Sequence, residues 1–300
     1  MYDLIIIGAG PAGITASVYA SRKRINLLVI SKDIGGQAAA SGDIENYTGY
    51  QFISGPDLAA KFTEHMRKFG IQLKEGESVT GIEKDTGLIR VKTDQGQYES
   101  KTVIIASGKR SKELAVPGEK EFKNKGLTYC ATCDGPLFSN KDVAIIGGGN
   151  SALDAALQLT RIAKQVYIIN IASGLGGDEI MRQQVLAAKN ITVFNDTKIT
   201  RVIGEKFVQA IKILRQGKEE SLKVEGVFVE IGLIPNSEIY PGIAKNGKGE
   251  IIVDHYNRTN LEGIFAAGDI TDVPEKQIII AAGEGSKAAL SAFRYLLQHP

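Results

Sequence analysis

Cys130 and Cys133 are the residues best suited to chemistry, because they are the only cysteines in the 300-residue chain and lie three positions apart. They belong to the stretch Thr128-Tyr-Cys-Ala-Thr-Cys-Asp-Gly135. The C-x-x-C spacing lowers the pKa of a thiol and makes a disulfide exchangeable with other thiols. The pair therefore predicts a redox function, in which the two sulfurs cycle between dithiol and disulfide.

Two other interpretations of the cysteine pair are weaker. A structural zinc ion takes four nitrogen or sulfur ligands. This chain offers no further cysteine, and His65, His255 and His299 lack ligand spacing, so we expect no metal site. A purely structural disulfide would close a very short loop and stabilise the fold little.

A glycine-rich loop near the N-terminus indicates dinucleotide binding. The apolar run at residues 4–7 predicts a buried strand, and Gly8-Ala-Gly10-Pro-Ala-Gly13 follows it before a helical pattern begins. In such a unit Gly8 permits the tight turn, Gly10 lets the backbone approach a pyrophosphate, and Gly13 lets the helix pack on the strand. The helix N-terminus then faces the phosphate charge.

The same pattern recurs about 140 residues later. Residues 142–146 predict a strand, Gly147-Gly-Gly149-Asn-Ser-Ala152 supplies a G-x-G-x-x-A loop, and a helix follows. The candidate contacts of a second dinucleotide are Gly147, Gly149, Asn150, Ser151 and Ala152. A redox pair between two such loops suggests that electrons pass from one cofactor to another and then to sulfur.

Asn170 ends the next predicted strand, where an acidic residue favours NAD and a nearby arginine accommodates the 2′-phosphate of NADP. No arginine follows Ile169 before Arg182. Asn170 can hydrogen-bond a ribose hydroxyl but cannot neutralise a phosphate, so NADH is favoured over NADPH. At the corresponding place in the first unit the chain has Ser31-Lys32-Asp33, and Asp33 is a weaker candidate for the ribose.

Composition excludes several classes of function. Lys and Arg number 36 against 34 Asp and Glu, and the net charge of +2 provides no basic field for a nucleic acid. No apolar run approaches the ~20 residues of a membrane span, and the N-terminus predicts a strand rather than a signal peptide. We therefore expect a cytoplasmic protein without a membrane partner, in which a persistent structural disulfide would be unusual.

The remaining patterns predict further elements of an α/β fold. Alternating residues at 78–82, 87–93 and 97–102 predict a small antiparallel sheet, and residues 103–108 predict a separate buried strand. Another predicted strand ends in Gly268-Asp269, whose carboxylate could accept hydrogen bonds from the ribityl hydroxyls of a flavin. Residues 192–194, 208–214 and 226–230 predict strands of a closing sheet in the second unit, and a final helix is predicted from about residue 276 to 297.

Together these motifs resemble the low-molecular-weight thioredoxin reductases, a family of FAD-dependent pyridine nucleotide–disulfide oxidoreductases. The resemblance runs from Met1 to about Gln298 and rests on GAGPAG, GGQ with IENYTGY, YCATCDGPLF, GGGNSA and FAAGDITDVPEKQIIIAAGEG. The C-terminal half is also similar to the reductase part of alkyl hydroperoxide reductase flavoproteins. We expect the additional N-terminal thioredoxin-like module of those proteins to be absent here.

The resemblance implies two Rossmann-like three-layer dinucleotide-binding domains, the second inserted into the first. It implies a discontinuous FAD domain over residues 1–114 and 243–300, and a nicotinamide domain over residues 115–242 that carries the cysteines. A homodimer is implied as well. The positions that carry over as FAD contacts are Gly8, Gly10, Pro11, Ala12, Gly13, Gly36, Gln37, Asn46, Gly108, Gly268, Asp269, Gln277 and Ile278.

The resemblance also implies catalytic roles. Cys133 is the flavin-proximal sulfur, and Cys130 becomes the thiolate that attacks the disulfide of thioredoxin or of a thioredoxin- or glutaredoxin-like protein. Asp134 resembles the acid/base of the family. These roles predict a thioredoxin-disulfide reductase. The chain departs from the family after Ile169, where the His-Arg-Arg cluster that reads NADPH is missing.

The departure leaves alternatives open. The donor is either NADH or a different one, such as reduced ferredoxin, and the second loop could be an inherited turn without a ligand. An NADH oxidase or a peroxide-directed reductase on the same scaffold is another alternative, and a non-enzymatic redox sensor is a third. Retention of Cys130, Cys133 and Asp134 favours the disulfide reductase.

Overall fold

The computed structural model describes residues 1–41, 43–85 and 87–299, and the side chains of Asp43 and Cys133 lie outside this description. The chain forms two compact units. The first combines Met1–Arg110 with Ile234–Pro300, and the second is the continuous segment Ser111–Leu233. The predicted insertion of one unit into the other is therefore confirmed.

The elements alternate between strand and helix along much of the chain. The strands are β1 Tyr2–Ala9, β2 Leu27–Ile34, β3 Asp43–Ile44, β4 Ile53–Ser54, β5 Gln72–Glu75, β6 Val79–Asp85, β7 Leu88–Thr93, β8 Gln97–Ile105, β9 Lys109–Ser111, β10 Leu127–Thr128, β11 Asp142–Ile146, β12 Gln165–Ile169, β13 Ile191–Phe194, β14 Thr197–Gly204, β15 Val208–Arg215, β16 Lys218–Lys223, β17 Gly226–Val229, β18 Leu233–Pro235 and β19 Ile264–Ala266. The helices are α1 Pro11–Arg22, α2 Gly36–Ala39, α3 Gly55–Lys68, α4 Glu119–Phe122, α5 Ala131–Asp134, α6 Asn150–Leu159, α7 Glu179–Ala187 and α8 Ile278–Gln298. The predicted α/β class is confirmed.

The main sheet of the first unit has the strand order β5-β2-β1-β8-β7-β6, and β19 also pairs with β8. β1 is parallel to β2 and to β8, with Ile7 opposite both Ile30 and Ile105. Leu4 and Ile6 pack into one core with α1 and α8, whereas Ile5 and Ile7 pack into the core on the other face. Burial on both faces explains why β1 is a continuous apolar run.

β8 corrects the prediction of a separate antiparallel sheet. Its first half pairs antiparallel with β7, from Ile89 opposite Ser100 to Lys92 opposite Gln97. Its second half pairs parallel with β19, from Ile264 opposite Val103 to Ala266 opposite Ile105. β8 is therefore one strand, whereas the sequence predicted two, at residues 97–102 and 103–108. The change from alternating to continuous apolar residues marks deeper burial of the second half and not a break in the strand.

The second unit has a parallel sheet in the order β10-β17-β11-β12-β13 and an antiparallel sheet in the order β14-β15-β16. The sequence placed residues 192–194, 208–214 and 226–230 in one closing sheet. β13 and β17 do lie in the parallel sheet, but β15 lies in the antiparallel one. β17 is buried throughout, whereas burial alternates along β15, as expected of a strand with one solvated face.

No helix among the described residues combines the length and the apolar character that crossing a bilayer requires.

Candidate functional site

The first glycine-rich loop has the geometry of a tight turn closed by a packed helix. Gly8 has φ +103°, and a Cβ there would lie 2.4 Å from the carbonyl oxygen of Ala106. A Cβ on Gly13 would lie 1.9 Å from the carbonyl oxygen of Gly8, so only glycine lets α1 start this close to β1. At Gly10 the nearest atom is the Cα of Gly36, at 4.0 Å, so the loop is open at this position.

The N-terminus of α1 suits an anionic group. Its N-cap, Gly10, provides no side-chain hydrogen bond, Pro11 occupies the first helical turn, and that turn contains no acidic residue. The N–H groups of the first turn therefore have no side-chain acceptor, and the helix dipole favours negative charge. These residues fit the pyrophosphate of FAD, and the contact itself stays a prediction.

Several other predicted FAD contacts lie around this loop. Gly36, at the start of α2, approaches the backbone of Gly10, since a Cβ on Gly36 would lie 3.3 Å from the Cα of Gly10. Gly268 follows β19 with φ +79° and packs against Ala12, where a Cβ would lie 2.9 Å from the alanine Cβ. Parallel strands present their carboxyl ends at one sheet edge, which is where α/β sheets bind ligands.

The remaining predicted contacts of the first unit are also linked to each other. Gln37 donates from Nε2 to the carbonyl oxygen of Lys109 at 3.3 Å, directly after Gly108. Asn46 donates from Nδ2 to Oε1 of Gln277 at 3.1 Å. Ile278 begins α8 and packs against a small core formed by Ile44, Ile53 and Leu58. Residues far apart in sequence thus converge within one unit.

Asp269 lies near a charged cluster that sequence reasoning missed. Glu250, about nine-tenths buried, accepts from Nζ of Lys109 at 2.9 Å and from Nδ2 of Asn246 at 2.8 Å, and Nζ of Lys276 lies 3.3 Å away. Burial raises the pKa of Glu250, but these hydrogen bonds and positive charges outweigh burial and bring the pKa to about 2. Burial raises the pKa of Asp269, against the lysine charges. No local motif marks Glu250, which explains why the sequence did not reveal it.

We expect Glu250→Gln to lower the free energy of unfolding at pH 7 by about 2 kcal/mol, because two lysines lose their buried counter-charge. The folded pKa lies below the unfolded value, so the stabilisation is present above about pH 4.5 and is lost as pH falls toward 2. Urea unfolding at pH 7 and pH 3.5 measures the difference. Glu64→Gln, at an exposed position on α3, is the control and should change little. An equal loss at both pH values would contradict the ionic explanation.

The second glycine-rich loop repeats the geometry of the first. Gly147 has φ +138°, and a Cβ there would lie 2.1 Å from the carbonyl oxygen of Glu230. A Cβ on Gly149 would have no atom within 4 Å, and as N-cap of α6 this glycine provides no side-chain hydrogen bond. Ser151 is exposed and Ala152 is buried in the core of the unit. The loop suits a phosphate group in the same way as the first.

Asn150 and Asn170 hold the segment that follows β12. Asn150 accepts at Oδ1 from the backbone N of Asp178 at 2.7 Å. Asn170 is buried, and its Nδ2 donates to the carbonyl oxygens of Ala172 and Gly174 and to Oδ1 of Asn195 at 2.9–3.1 Å. These bonds are made inside the protein, so Asn170 shapes the loop. Its contact with a ribose stays a prediction.

Ser31 is the counterpart of Asn170 in the first unit. In each unit, the residue just before the first glycine of the loop pairs with the neighbouring strand, Ile7 with Ile30 and Ile146 with Ile169. Ser31 and Asn170 directly follow these partners. Ser31 is buried and accepts at Oγ from the backbone N of Ala9 at 3.0 Å. β2 continues past it to Ile34, and Asp33 is exposed.

The cysteine motif lies on a short helical turn that packs against α6. Cys130 is disulfide-bonded and half-buried, and Ala131 joins the core formed by α6. The predicted redox sulfur of Cys133 lies outside the described side chains. The second unit therefore carries its disulfide directly beside the helix that begins at the second glycine-rich loop.

Thr128 organises this turn and was not singled out from the sequence. Its buried Oγ1 accepts from the backbone N of Cys130 at 3.2 Å and donates to Oδ2 of Asp134. Asp134 in turn donates from its backbone N to the carbonyl oxygen of Cys130 at 3.2 Å. The carboxylate predicted to act as acid/base is thus fixed next to the motif.

Tyr129, the residue between Thr128 and Cys130, forms a hydrogen bond with the buried carboxylate of Glu119. Its hydroxyl donates to Oε1 of Glu119 at 2.7 Å, and Glu119 also accepts from the backbone N of Leu114 and of Ala115. Burial and the neighbouring Glu119 raise the pKa of Tyr129. The residue before Cys130 is therefore tied to the segment that enters the second unit.

Among the described residues, no group of three or more His, Cys, Asp or Glu side chains gathers at a position that could hold a metal ion.

Known proteins resemble this chain both in sequence and in structure. A family model described as pyridine nucleotide-disulphide oxidoreductase matches residues 2–285. NADH dehydrogenase of Bacillus subtilis (strain 168) is 40% identical over 302 aligned positions, which cover 99% of this chain and 59% of that protein. One subunit of the alkyl hydroperoxide reductase of Staphylococcus aureus (strain NCTC 8325 / PS 47) is also 40% identical, over 99% of this chain and 60% of its own length. The chain thus spans about three fifths of the length of these curated relatives.

Among solved structures, the thioredoxin reductase of Lactococcus lactis is 35% identical in sequence and superposes with a TM-score of 0.93. The match covers 99% of this chain and 100% of the other.

Proposed function

The chain belongs to the pyridine nucleotide-disulphide oxidoreductase family, and we propose that it is a flavoprotein disulfide reductase. It takes electrons from a nicotinamide dinucleotide, NADH in preference to NADPH, and passes them through FAD and the Cys130–Cys133 disulfide. The acceptor is the disulfide of thioredoxin or of a thioredoxin- or glutaredoxin-like protein.

One observation carries this proposal. The disulfide at Cys130 lies on a turn packed against α6, the helix that begins at a glycine-rich loop, and Thr128 fixes the Asp134 carboxylate beside it. A structural disulfide needs neither a neighbouring dinucleotide loop nor a positioned carboxylate. A redox-active one uses both, since electrons arrive from a cofactor and protons from an acid.

The two units divide the cofactor work in this proposal. The first unit holds FAD through the loop from Gly8 to Gly13, with Gly36, Gly268 and the Asn46–Gln277 pair around it. The second unit holds the nicotinamide dinucleotide at the loop from Gly147 to Ala152. FAD, when bound, supplies the two-electron chemistry that links the nicotinamide to the disulfide.

The cysteines carry out the exchange with the protein substrate. The Cys130 thiolate attacks one sulfur of the substrate disulfide, forming a mixed disulfide and releasing the other substrate sulfur as a thiolate. Asp134 delivers the proton that this thiolate takes up. Cys133 then attacks Cys130, which restores the enzyme disulfide and releases the second substrate thiol. Both electrons gained by the substrate come from the reduced cysteine pair.

The curated relatives support a second candidate function. They are an NADH dehydrogenase and a subunit of alkyl hydroperoxide reductase by name. A chain of this family could therefore serve an NADH oxidase or a peroxide-directed pathway. A non-nicotinamide donor such as reduced ferredoxin is the remaining alternative for the source of electrons.

We expect NADH to reduce the bound FAD at least tenfold faster than NADPH, since no arginine follows Ile169 until Arg182 and Asn170 cannot neutralise a 2′-phosphate. Anaerobic stopped-flow mixing of the FAD-loaded protein with each donor measures the two rates. Comparable or faster reduction by NADPH would mean that another group binds the 2′-phosphate. Absence of reduction by either donor, in protein that retains FAD, would overturn the nicotinamide route and favour ferredoxin.

We also propose a homodimer and a cytoplasmic location, both supported by the family resemblance. Light scattering of the FAD-loaded protein tests the first, because a mass near that of a single 32.2 kDa chain would contradict it.

A further inference from the structure

Glu230 and Asp154 bring two carboxyl groups to the carboxyl edge of the parallel sheet in the second unit. Glu230 directly follows β17, and its backbone N donates to the carbonyl oxygen of Ile146, the last residue of β11, at 2.8 Å. Its carbonyl oxygen lies against Gly147. Asp154 lies in α6, one turn after the helix begins at the glycine-rich loop.

This edge is the point where the strand connections diverge. From β11 the chain moves to β12 and β13 on one side, whereas β17 and β10 lie on the other side. Open α/β sheets bind ligands in the crevice at such a switch point. Glu230 stands at this crevice, next to the loop proposed to hold the dinucleotide.

The two carboxyl groups are in different environments. Asp154 accepts at Oδ2 from Nε2 of Gln158 at 2.8 Å, and Oε1 of Gln158 accepts from Oγ1 of Thr132 at 2.9 Å. Thr132 lies between the two cysteines, and its hydroxyl fixes the glutamine amide so that the NH₂ group faces Asp154. A hydrogen bond donated to a carboxylate favours its ionised form, and the charge of Asp154 acts on Glu230.

Within the described ranges, the carboxyl group of Glu230 lacks a hydrogen-bond donor of the kind that Asp154 has in Gln158. Among the described residues none donates a hydrogen bond to its carboxyl group. Burial, followed by the negative charge of Asp154, raises the pKa of Glu230 to about 8. At neutral pH the group is therefore mainly a carboxylic acid with an O–H to donate.

No cation on the described elements packed around Glu230 counters the rise in its pKa. Asp154 is the single charged residue of α6, β10 has none, and the Asp142 of β11 lies at the opposite end of that strand. β15 packs near β17 and carries Lys212, which lies 3.9 Å from Glu219, and Arg215, which lies over the ring of Phe194. Both cations of β15 thus have other partners.

The order of the strands indicates which part of a dinucleotide would meet Glu230. The pyrophosphate belongs at the N-terminus of α6, after β11, and the adenosine belongs at the end of β12, near Asn170. β17 lies on the other side of β11 from β12. The nicotinamide half is therefore the part that would extend over β17.

We propose that Glu230, as a neutral acid, donates a hydrogen bond to a carbonyl oxygen of the nicotinamide half and is a further binding residue of the second unit. This inference rests on the proposed function of that unit. The nicotinamide carboxamide supplies a neutral acceptor of the required kind. Ionisation would remove the donor and place a second negative charge beside Asp154 and the pyrophosphate, so binding should weaken when Glu230 loses its proton.

Equilibrium binding of 1,4,5,6-tetrahydro-NAD to the FAD-loaded protein between pH 6 and pH 9.5 tests this inference, because this analogue keeps the carboxamide, has a neutral ring and does not reduce the flavin. The apparent dissociation constant equals the intrinsic value divided by the protonated fraction. With a pKa of about 8, the constant should rise about tenfold from pH 7 to pH 9. Glu230→Gln keeps a donor that does not titrate, so its constant should stay flat over the same range. Glu225→Gln, exposed just before the same strand, should retain the wild-type pH dependence.

The outcomes separate this inference from the proposed function. Binding that is independent of pH in the wild type, or that weakens equally in Glu230→Gln, would overturn the role of Glu230 and leave dinucleotide binding intact. Absence of binding of this analogue at every pH would overturn both. A flat profile confined to the Glu230→Gln variant, with tight binding at pH 7, is the result that we expect.

Discussion

Replacement of Cys130 by serine is expected to lower the rate of disulfide reduction by ~10³-fold or more, since a hydroxyl at neutral pH cannot replace the attacking thiolate. Reduction of bound FAD by NADH should remain within about twofold of wild type, because Cys130 acts after that step in the proposed order. Reduction of thioredoxin, followed through loss of NADH, measures the first effect. Anaerobic stopped-flow reduction of the flavin measures the second.

The same variant distinguishes the alternative functions. An NADH oxidase would keep its oxygen consumption after the substitution, and a redox sensor would have no turnover to lose in either form. Ser139→Ala is a suitable control, because Ser139 is exposed and follows the cysteine motif by only a few residues. Disulfide reduction at the wild-type rate by Cys130→Ser would exclude the role proposed for this sulfur.

Gly285→Ala is expected to lower the free energy of unfolding of the first unit by about 3 kcal/mol and to reduce its FAD content. A Cβ at Gly285, on α8, would lie 2.0 Å from the carbonyl oxygen of Ala12 on α1. This oxygen belongs to the backbone and cannot rotate away, so the helices must separate by about 1 Å. That shift would move the N-terminus of α1, where the FAD pyrophosphate is proposed to bind.

Gly283→Ala is the matched control in the same helix. Gly283 is exposed, and no atom lies within 4 Å of the Cβ position there. Alanine should raise helix stability by up to about 1 kcal/mol and leave FAD content unchanged. Urea unfolding and the ratio of flavin to protein absorbance measure both variants. Equal behaviour of the two variants would show that the contact of α1 with α8 does not set flavin retention.

Local motifs predicted the elements that carry the site, for physical reasons that are visible in the structure. The glycine-rich loops combine a strand, a turn and a helix within a few residues, and β1 and β11 are buried on both faces, so each leaves a continuous apolar signal. The sequence pattern places Ile14, Val18 and Tyr19 on one face of α1, but Tyr19 is 42% exposed, whereas Ile14 and Val18 are buried. The polar tip of Tyr19 tolerates the border of a helix face.

Features built from distant residues could not be predicted in this way. Glu250 meets Lys109 across 141 positions, and Asn46 meets Gln277 across 231. Gln158 bonds to Asp154 one turn away in α6, as helix spacing allows, but its bond to Thr132 spans 26 positions. Such contacts depend on how the sheets bring segments together. The sequence placed Ser31-Lys32-Asp33 at the position that corresponds to Asn170, and the paired strand registers identify Ser31 as the equivalent residue.

The split of the first unit constrains the order in which a newly synthesised chain can fold. β8 lies between β1 and β19, and α1 packs on α8, so the central sheet and its helical layer need segments from both ends of the chain. The second unit is continuous and has all its strands available earlier. During translation it can therefore complete its core first, while α1 still lacks α8 as its packing partner. Closing the first unit joins residues of very large sequence separation, so we expect it to be the slow step of folding and the proposed FAD site to be assembled last.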